Sequence, residues 1–419
     1  VRSLIECPID TSTQLNSTST PLAFKREGVF KIEFLYVHFK FRHIYSYAKS
    51  RILSEKEMYR YLITALLTCS AHANTFTVCD SGCQYNSINA AINDAVNGDV
   101  IQLVAGTYLE GAVIDLGGKN ISLVGVVDSD GTPLSILDGN STHAVIQSSG
   151  GMITLENLVI ENGSAANGAG LNYTFGPLTA LNCIFRNNEA SDLGGAIHAV
   201  NAGVTLTGCR FENNAADEYA GAIYGDSVGF VLSGCLFDDN QAEYVPCVQG
   251  ENCTFQMSDS TVANHSGGEY ILELGTGVAG MGITTISNCV FENNDTEYNL
   301  LDTSNNALAM MAQLQVTDCI FRGNEVENCI NATRTQLLTL SGSLFADNLG
   351  DALDFSTVTG SVEDCRFERN SGDGIFAVSG DTTTLDFRRC VWANNVVSFR
   401  NQVGGGVVSF DACDFYGNQ

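Results

Sequence analysis

Four Glu-Tyr pairs recur at nearly constant spacing: Glu218-Tyr219, Glu243-Tyr244, Glu269-Tyr270 and Glu297-Tyr298 stand 25, 26 and 28 residues apart. Tyrosine faces in a row can stack on sugar rings, while carboxylates in a row repel one another unless a cation such as Ca²⁺, or salt, lies between them. A plainer chemistry competes with this one, in which the tyrosines pack under a corner and the glutamates only solvate it. Thiols are the second reactive class. Cys79 with Cys83, and Cys247 with Cys253, are close in sequence and lie in irregular stretches, which makes them the disulfide candidates. None of the 15 cysteines has zinc-ligand spacing with accompanying histidines, so no metal is assigned. Gly275-x-Gly277-x-x-Gly280 matches the dinucleotide fingerprint by letter, but a strand pattern follows it where a helix is required, and it reads as a loop. His198, outward-phased near Asp192, could move protons, although an isolated surface histidine is usually inert.

The spacing of the Glu-Tyr pairs belongs to a larger repeat. A compact residue recurs at Val126, Leu158, Cys183, Cys209, Cys235, Ser260, Cys289, Cys319, Ser343, Cys365, Cys390 and Cys413, at intervals of 22 to 32 residues. That period marks a solenoid, whose units bury their apolar faces by stacking on one another. Alternating apolar pairs stand on both sides of a one-residue slip, as in Val204 and Leu206, then Cys209 and Phe211. Two short strands joined by a sharp bend follow from that pattern. The residue before the ladder position is Gly, Asn or Asp in ten of twelve repeats, and those types tolerate a left-handed backbone. Five residues after it stands an Asn in most repeats, from Asn188 to Asn418, read as a second corner whose side chains bond their own backbone. A third strand begins on small residues such as Gly194-Gly195-Ala196-Ile197. In-register thiols stacked one strand apart favour a buried thiol ladder over inter-rung disulfides. The fold expected is all-β: a right-handed parallel β-helix of about twelve rungs over 126–419, with 74–125 forming a cap that includes a short amphipathic helix after Ser87.

Composition sets further expectations. The chain of 419 residues carries a formal charge of -27, which repels nucleic acid and anionic lipid. Residues 58–73, MYRYLITALLTCSAHA, have the start Met, apolar run and Ala-His-Ala ending of a secretory signal peptide. Residues 1–57 share none of the later pattern and are expected to be an upstream mistranslation or an unstructured extension. No later segment is apolar and long enough for a transmembrane helix.

F-x-x-N motifs, from Phe185-Asn188 to Phe415-Asn418, alternate with GGA-aliphatic motifs such as Ala220-Gly221-Ala222-Ile223. Over roughly 150–419 they resemble the passenger repeats of chlamydial polymorphic outer membrane proteins, and the cap looks like the pectate-lyase-like superfamily at large. The resemblance implies a secreted or surface-displayed β-helix of the cell envelope or outer membrane that acts in adhesion and is exported by a C-terminal barrel. No barrel pattern precedes Gln419, so truncation at the C-terminus is the matching expectation. Polysaccharide lyases and hydrolases on such a fold need clustered Asp or paired carboxylates with Arg or Lys to stabilise charge. Ten Lys or Arg and three His lie beyond residue 73, and no signature motif accompanies them. The functional expectation is a secreted or surface-displayed structural or adhesive module, with the Glu-Tyr edge as the candidate surface for glycans, cell-surface ligands or a cation. A carbohydrate-active enzyme is the alternative; no catalytic residue is assigned.

Overall fold

The computed structural model describes residues 73–275, 282–303, 311–372, 375–378, 383–396, 400–401 and 407–418. The expected upstream extension, all but Ala73 of the expected signal peptide, and Gly277 and Gly280 lie outside the described residues.

The chain coils into a right-handed parallel β-helix of about twelve turns. Among the described residues the strands form three sheets, of 24, 13 and four strands. One turn shows how the sequence dictates this. Gly229–Ser233 places Phe230 and Leu232 in the core, Gly234 bends the chain, and Leu236–Asp238 places Phe237 there. The next turn repeats it in register, with Phe230 opposite Phe255 and Phe237 opposite Val262. The bend is left-handed at eleven of the twelve expected positions, including Arg389 and Ala412, both at φ 53°, where a Cβ makes that conformation costly. Gly125 is the exception.

Two details differ from the sequence reading. Val126 does not occupy the first ladder position: Ser135 does, fully buried and in register with Leu158. The segment 126–134 is an insertion, closed by an antiparallel bridge between Val127 and Pro133, and it accounts for the longest interval in the repeat. The corner asparagines also bond differently. The left-handed residue at that corner is the one before each asparagine, such as Asn187, Asn213 and Asp347. The asparagine itself turns inward: Nδ2 of Asn324 donates to Phe291 O and to Asn348 Oδ1, while Asn324 Oδ1 accepts from Asn294. The amides thus form an inter-rung ladder from Asn188 to Asn418, buried along most of its length, rather than local caps.

Beside this ladder the F-x-x-N aromatic rings stack. Phe291, Phe321, Phe345, Phe367, Trp392 and Phe415 lie 4.5 to 5.2 Å apart from centroid to centroid, nearly parallel. The small residues before the third strand have a steric cause: a Cβ on Gly195 would sit 2.3 Å from the carbonyl oxygens of Ala215 and Gly221.

At the N-terminal end helix α1, Ile88–Asp94, packs Ile88, Ala91 and Ile92 into the core. Ser87 caps its start, helped by the Glu110 carboxylate, which accepts from Ile88 N at 2.6 Å. Lys119 Nζ satisfies its last carbonyls, those of Ile92 and Ala95. Cys79 and Cys83 are joined by a disulfide. Cys247 and Cys253, expected as a second bridge, are instead separate buried thiols, as are the ladder cysteines from Cys183 to Cys390. The third-strand turn that carries Cys247 and Cys253 is as regular as its neighbours, with Val248 in the core and Glu251 facing out, so neither side chain is in a loose loop free to reach the other.

Candidate functional site

The Glu-Tyr pairs fall between the asparagine corner and the third strand, where backbone bonds hold successive turns in phase. Tyr244 N donates to Glu218 O at 3.0 Å, Tyr270 N to Tyr244 O at 3.0 Å and Tyr298 N to Glu269 O at 3.0 Å. The tyrosines consequently line up. Tyr219 and Tyr244 stack at 4.6 Å and 19°, and Tyr270 and Tyr298 approach to 6.0 Å at 35°. Tyr219, Tyr244 and Tyr270 are half-buried and Tyr298 is exposed, so ring surface remains in contact with solvent. Glu218, Glu243 and Glu297 are exposed and Glu269 is half-buried.

Immediately after this edge, the third strands Ile223–Asp226, Val248–Glu251, Tyr270–Leu274 and Asn299–Asp302 bring a second set of residues into register: Tyr224, Gln249, Glu273 and Asp302. Sequence reasoning missed this set. Its signal was the polar residue after each third-strand aliphatic, as in Val248-Gln249, Leu272-Glu273, Leu301-Asp302 and Leu353-Asp354. Because the aliphatics enter the core, the residues after them face outward, yet Gln249, Glu273 and Asp302 are only 3%, 8% and 2% exposed. Gln249 Nε2 donates to Glu273 Oε2 at 3.0 Å, and Asn299 Nδ2 donates to Asp302 Oδ2 at 2.6 Å. Gln249 Oε1 is buried without a partner. Alongside, Tyr224 OH donates to Glu251 Oε1, and the Tyr224 ring stacks on His198 at 5.5 Å.

The two sets form one electrostatic unit. Burial, then Asp302, Glu251 and Glu269, push the Glu273 carboxyl up to about 7. Burial and the charges of Asp351, Glu327 and Asp302 push Asp354 to about 6. Burial, then Asp302, Glu269 and Glu273, raise the Tyr270 hydroxyl to about 12. In all three, burial is the largest cause and neighbouring acids add to it. Ion pairs of the described residues stand on the thirteen-stranded sheet, its flanking corners and the strands Thr359–Glu363 and Thr384–Arg388: Arg186 with Glu161, Arg322 with Glu292, Arg369 with Asp347 and Arg388 with Glu363 are examples. Burial holds His198 below its usual range, so it is mostly neutral at pH 7. Its Nδ1 lies 3.2 Å from Asn172 Oδ1.

Beyond Tyr298 the edge opens into a hollow of about 560 Å³, lined by Asp295, Glu297, Glu325 and Glu327 with Thr296 and Leu349. Among the described residues no group of three or more His, Cys, Asp or Glu is placed to hold a metal ion. Among the described residues no helix is long and apolar enough to cross a membrane.

The family model described as the right-handed beta helix region matches residues 134–279 and 273–419. Solved structures similar to this chain include the catalytic domain of a GH87 alpha-1,3-glucanase in complex with nigerose, at 13% identity over 80% of this chain and 68% of that one, TM-score 0.46. Pectate lyase Pel9A is similar at 14% identity over 80% and 79%, TM-score 0.35. The polygalacturonase from Erwinia carotovora ssp. carotovora is similar at 12% identity over 82% and 95%, TM-score 0.36. No curated protein matches the sequence.

Proposed function

Since the chain belongs to the right-handed β-helix family, whose members share a coil and not a chemistry, we propose from its own surface residues that it is a secreted or surface-displayed adhesive module that holds a glycan along its Glu-Tyr edge. The observation that carries this reading is the phasing of four tyrosines into two ring pairs, flanked by Glu218, Glu243, Glu269 and Glu297. Tyrosine rings held in a row, with part of their surface in solvent, give pyranose rings an apolar surface to pack on, and carboxylates beside them accept from sugar hydroxyls. A panel of immobilised neutral, acidic and amine-bearing glycans tests it. The wild-type chain is expected to bind members of that panel and the Tyr219→Ala/Tyr244→Ala variant to lose them; equal retention by both defeats the reading.

On this proposal residues 58–73 are a signal peptide and 1–57 lie upstream of the natural start. N-terminal sequencing of the exported protein would return a first residue near Asn74, and Val1 there would refute it. The likeness of the repeats to chlamydial polymorphic outer membrane proteins supports display at an outer membrane. The acidic surface disfavours nucleic acid as a partner.

A carbohydrate-active enzyme is the second reading, and one observation favours it. Glu273 and Asp302 stand opposite each other on adjacent turns, with the Glu273 carboxyl held to about 7 by burial and its acidic neighbours. Register partners on adjacent parallel turns stand about 4.8 Å apart, near the spacing of a retaining pair. Glu273 would then pass a proton to the glycosidic oxygen as Asp302 attacks the anomeric carbon, and water would displace Asp302 while giving a proton back to Glu273. New reducing ends that disappear in Glu273→Gln would establish this activity, and their absence across the same glycan panel would remove it.

A further inference from the structure

The thiol column inside the coil is separate from the Glu-Tyr edge and independent of the glycan reading. Register places Cys183, Cys209 and Cys235 on three successive turns, Cys289 and Cys319 on two, and Cys365, Cys390 and Cys413 on three. Ser260 and Ser343 stand in the same column and separate the runs. Every thiol of the column except Cys413 is buried. Within the runs neighbouring sulfurs meet: Cys209 hydrogen-bonds with Cys183, Cys319 with Cys289 and Cys365 with Cys390. Their other bonds run to backbone carbonyls, as from Cys209 Sγ to Ala180 O at 3.4 Å and from Cys319 Sγ to Thr317 O at 3.2 Å. A thiol is a weak donor, so no strong bond holds these protons.

The spacing of the turns decides what can join the sulfurs. A disulfide prefers Cβ atoms about 3.5–4.5 Å apart, whereas successive strands hold them at about 4.8 Å. Two metal–thiolate bonds of about 2.3 Å, laid end to end, span about 4.6 Å. We infer that each run binds soft monovalent ions, Cu⁺ or Ag⁺, one in each gap between neighbouring thiols. Thiolates favour such ions. Each ion is held linearly by two sulfurs, so no group of three donors is needed. It takes the place of the proton between them: one S–H bond breaks, the resulting thiolate and a lone pair of the next sulfur bind the ion, and the proton leaves to solvent. One positive charge replaces another, and the column stays neutral in its apolar surroundings. The serines end each row of ions, because their hydroxyls are hard donors already engaged by the backbone: Cys235 N donates to Ser260 Oγ at 3.0 Å and Cys319 N to Ser343 Oγ at 3.2 Å.

The test counts ions. The full chain is loaded with Ag⁺, once as the folded protein and once by refolding in its presence, then dialysed and weighed by native mass spectrometry. Wild type is expected to hold two ions in the first run, one in the second and two in the third, and to unfold at a higher temperature than the ion-free chain. Zn²⁺, which takes four donors, is expected to leave no ion bound. Cys209→Ser borders two gaps and should lose two ions, and Cys183→Ser borders one and should lose one. Cys247→Ser should lose none, since its register partners are Ala222 and Ile271. Serine already occupies the column at Ser260 and Ser343, so the substituted column chains are expected to fold. Equal losses from all three variants overturn the inference, because the ions then bind thiols singly. No Ag⁺ retained after either loading, or Zn²⁺ retained in equal number, overturns it as well, and neither outcome needs a variant.

Discussion

Two sides of the same coil treat charge in opposite ways. On the thirteen-stranded sheet and at its flanking bends, several outward acids meet arginines from the same or the next turn, as in Arg186 with Glu161 and Arg389 with Asp364. Along the Glu-Tyr edge and its third strands, Glu273 and Asp302 accept from the neutral amides of Gln249 and Asn299, and Glu269, Glu273 and Asp302 raise the Tyr270 hydroxyl. Both sides are built from equally regular parallel turns, so the coil does not impose the difference. Surface ion pairs add little stability. An unneutralised acidic face costs some. Such a face is therefore better explained by something that binds it than by the needs of the fold.

The interior ladder sets the scale against which that edge is judged. Asn324→Ala removes a side chain that satisfies Phe291 O, Asn294 and Asn348 together in a fully buried place. With each buried orphan costing about 1–3 kcal/mol, a loss of about 3–5 kcal/mol is expected in denaturant unfolding. A loss below about 1 kcal/mol would mean the ladder is incidental to the fold.

Acid and base titrations separate the two regions next. His265 replaces asparagine in the ladder, with Nδ1 3.0 Å from Asn294 Oδ1 and Nε2 facing Asn240 Nδ2. Burial lowers it to about 4 despite the Asn294 bond, so its neutral form is the folded one. Its contribution is complete above the ordinary histidine value and is lost as pH falls from about 6.5 to about 4. Glu273 runs the other way: raised from 4.5 to about 7, it favours folding while protonated, and that contribution is lost as pH rises through this range. Each amounts to about 2–3 kcal/mol at most, and in the wild type the slopes oppose. Unfolding followed between pH 4 and pH 7 should show His265→Asn losing stability as pH rises and Glu273→Gln gaining it. Parallel pH profiles for the two variants would show that these groups do not set the pH dependence.

Smaller effects sharpen the contrast at single positions. Tyr244→Ala removes one ring of the tighter pair and should cost bound glycan about 2- to 12-fold in affinity, whereas Arg322→Ala on the paired side should cost none. Smallest of all, Ala412→Gly relieves a left-handed alanine on the paired side and should raise stability by about 0.5–1 kcal/mol in thermal unfolding.

What the sequence disclosed follows from which features leave a chemical signature. Left-handed bends demand Gly, Asn or Asp, so the corner phase was readable at Gly208, Asn288 and Asp318 before any coordinates. The Glu-Tyr edge was readable because the pairs keep the repeat period. The role of Asn188 and its successors was not, because a local cap and an inter-rung amide ladder use the same residue at the same place. Ser135 escaped notice because an insertion put Val126 where the Cys column would start. Gln249, Glu273 and Asp302 are single polar residues in short strands, and nothing in a lone carboxylate says that its neighbours a turn away are also acids. Cys247 and Cys253 looked irregular only because the third-strand period was too short to recognise.

The most direct test of the central claim is calorimetric titration of one glycan that the wild-type chain binds against three proteins: the wild type, Tyr219→Ala/Tyr244→Ala and Arg322→Ala. The account predicts binding by the wild type and Arg322→Ala with equal affinity, and a loss of at least about 10-fold in the double tyrosine variant. Equal affinity in all three would contradict it, and the acidic tyrosine edge would then not be the binding surface.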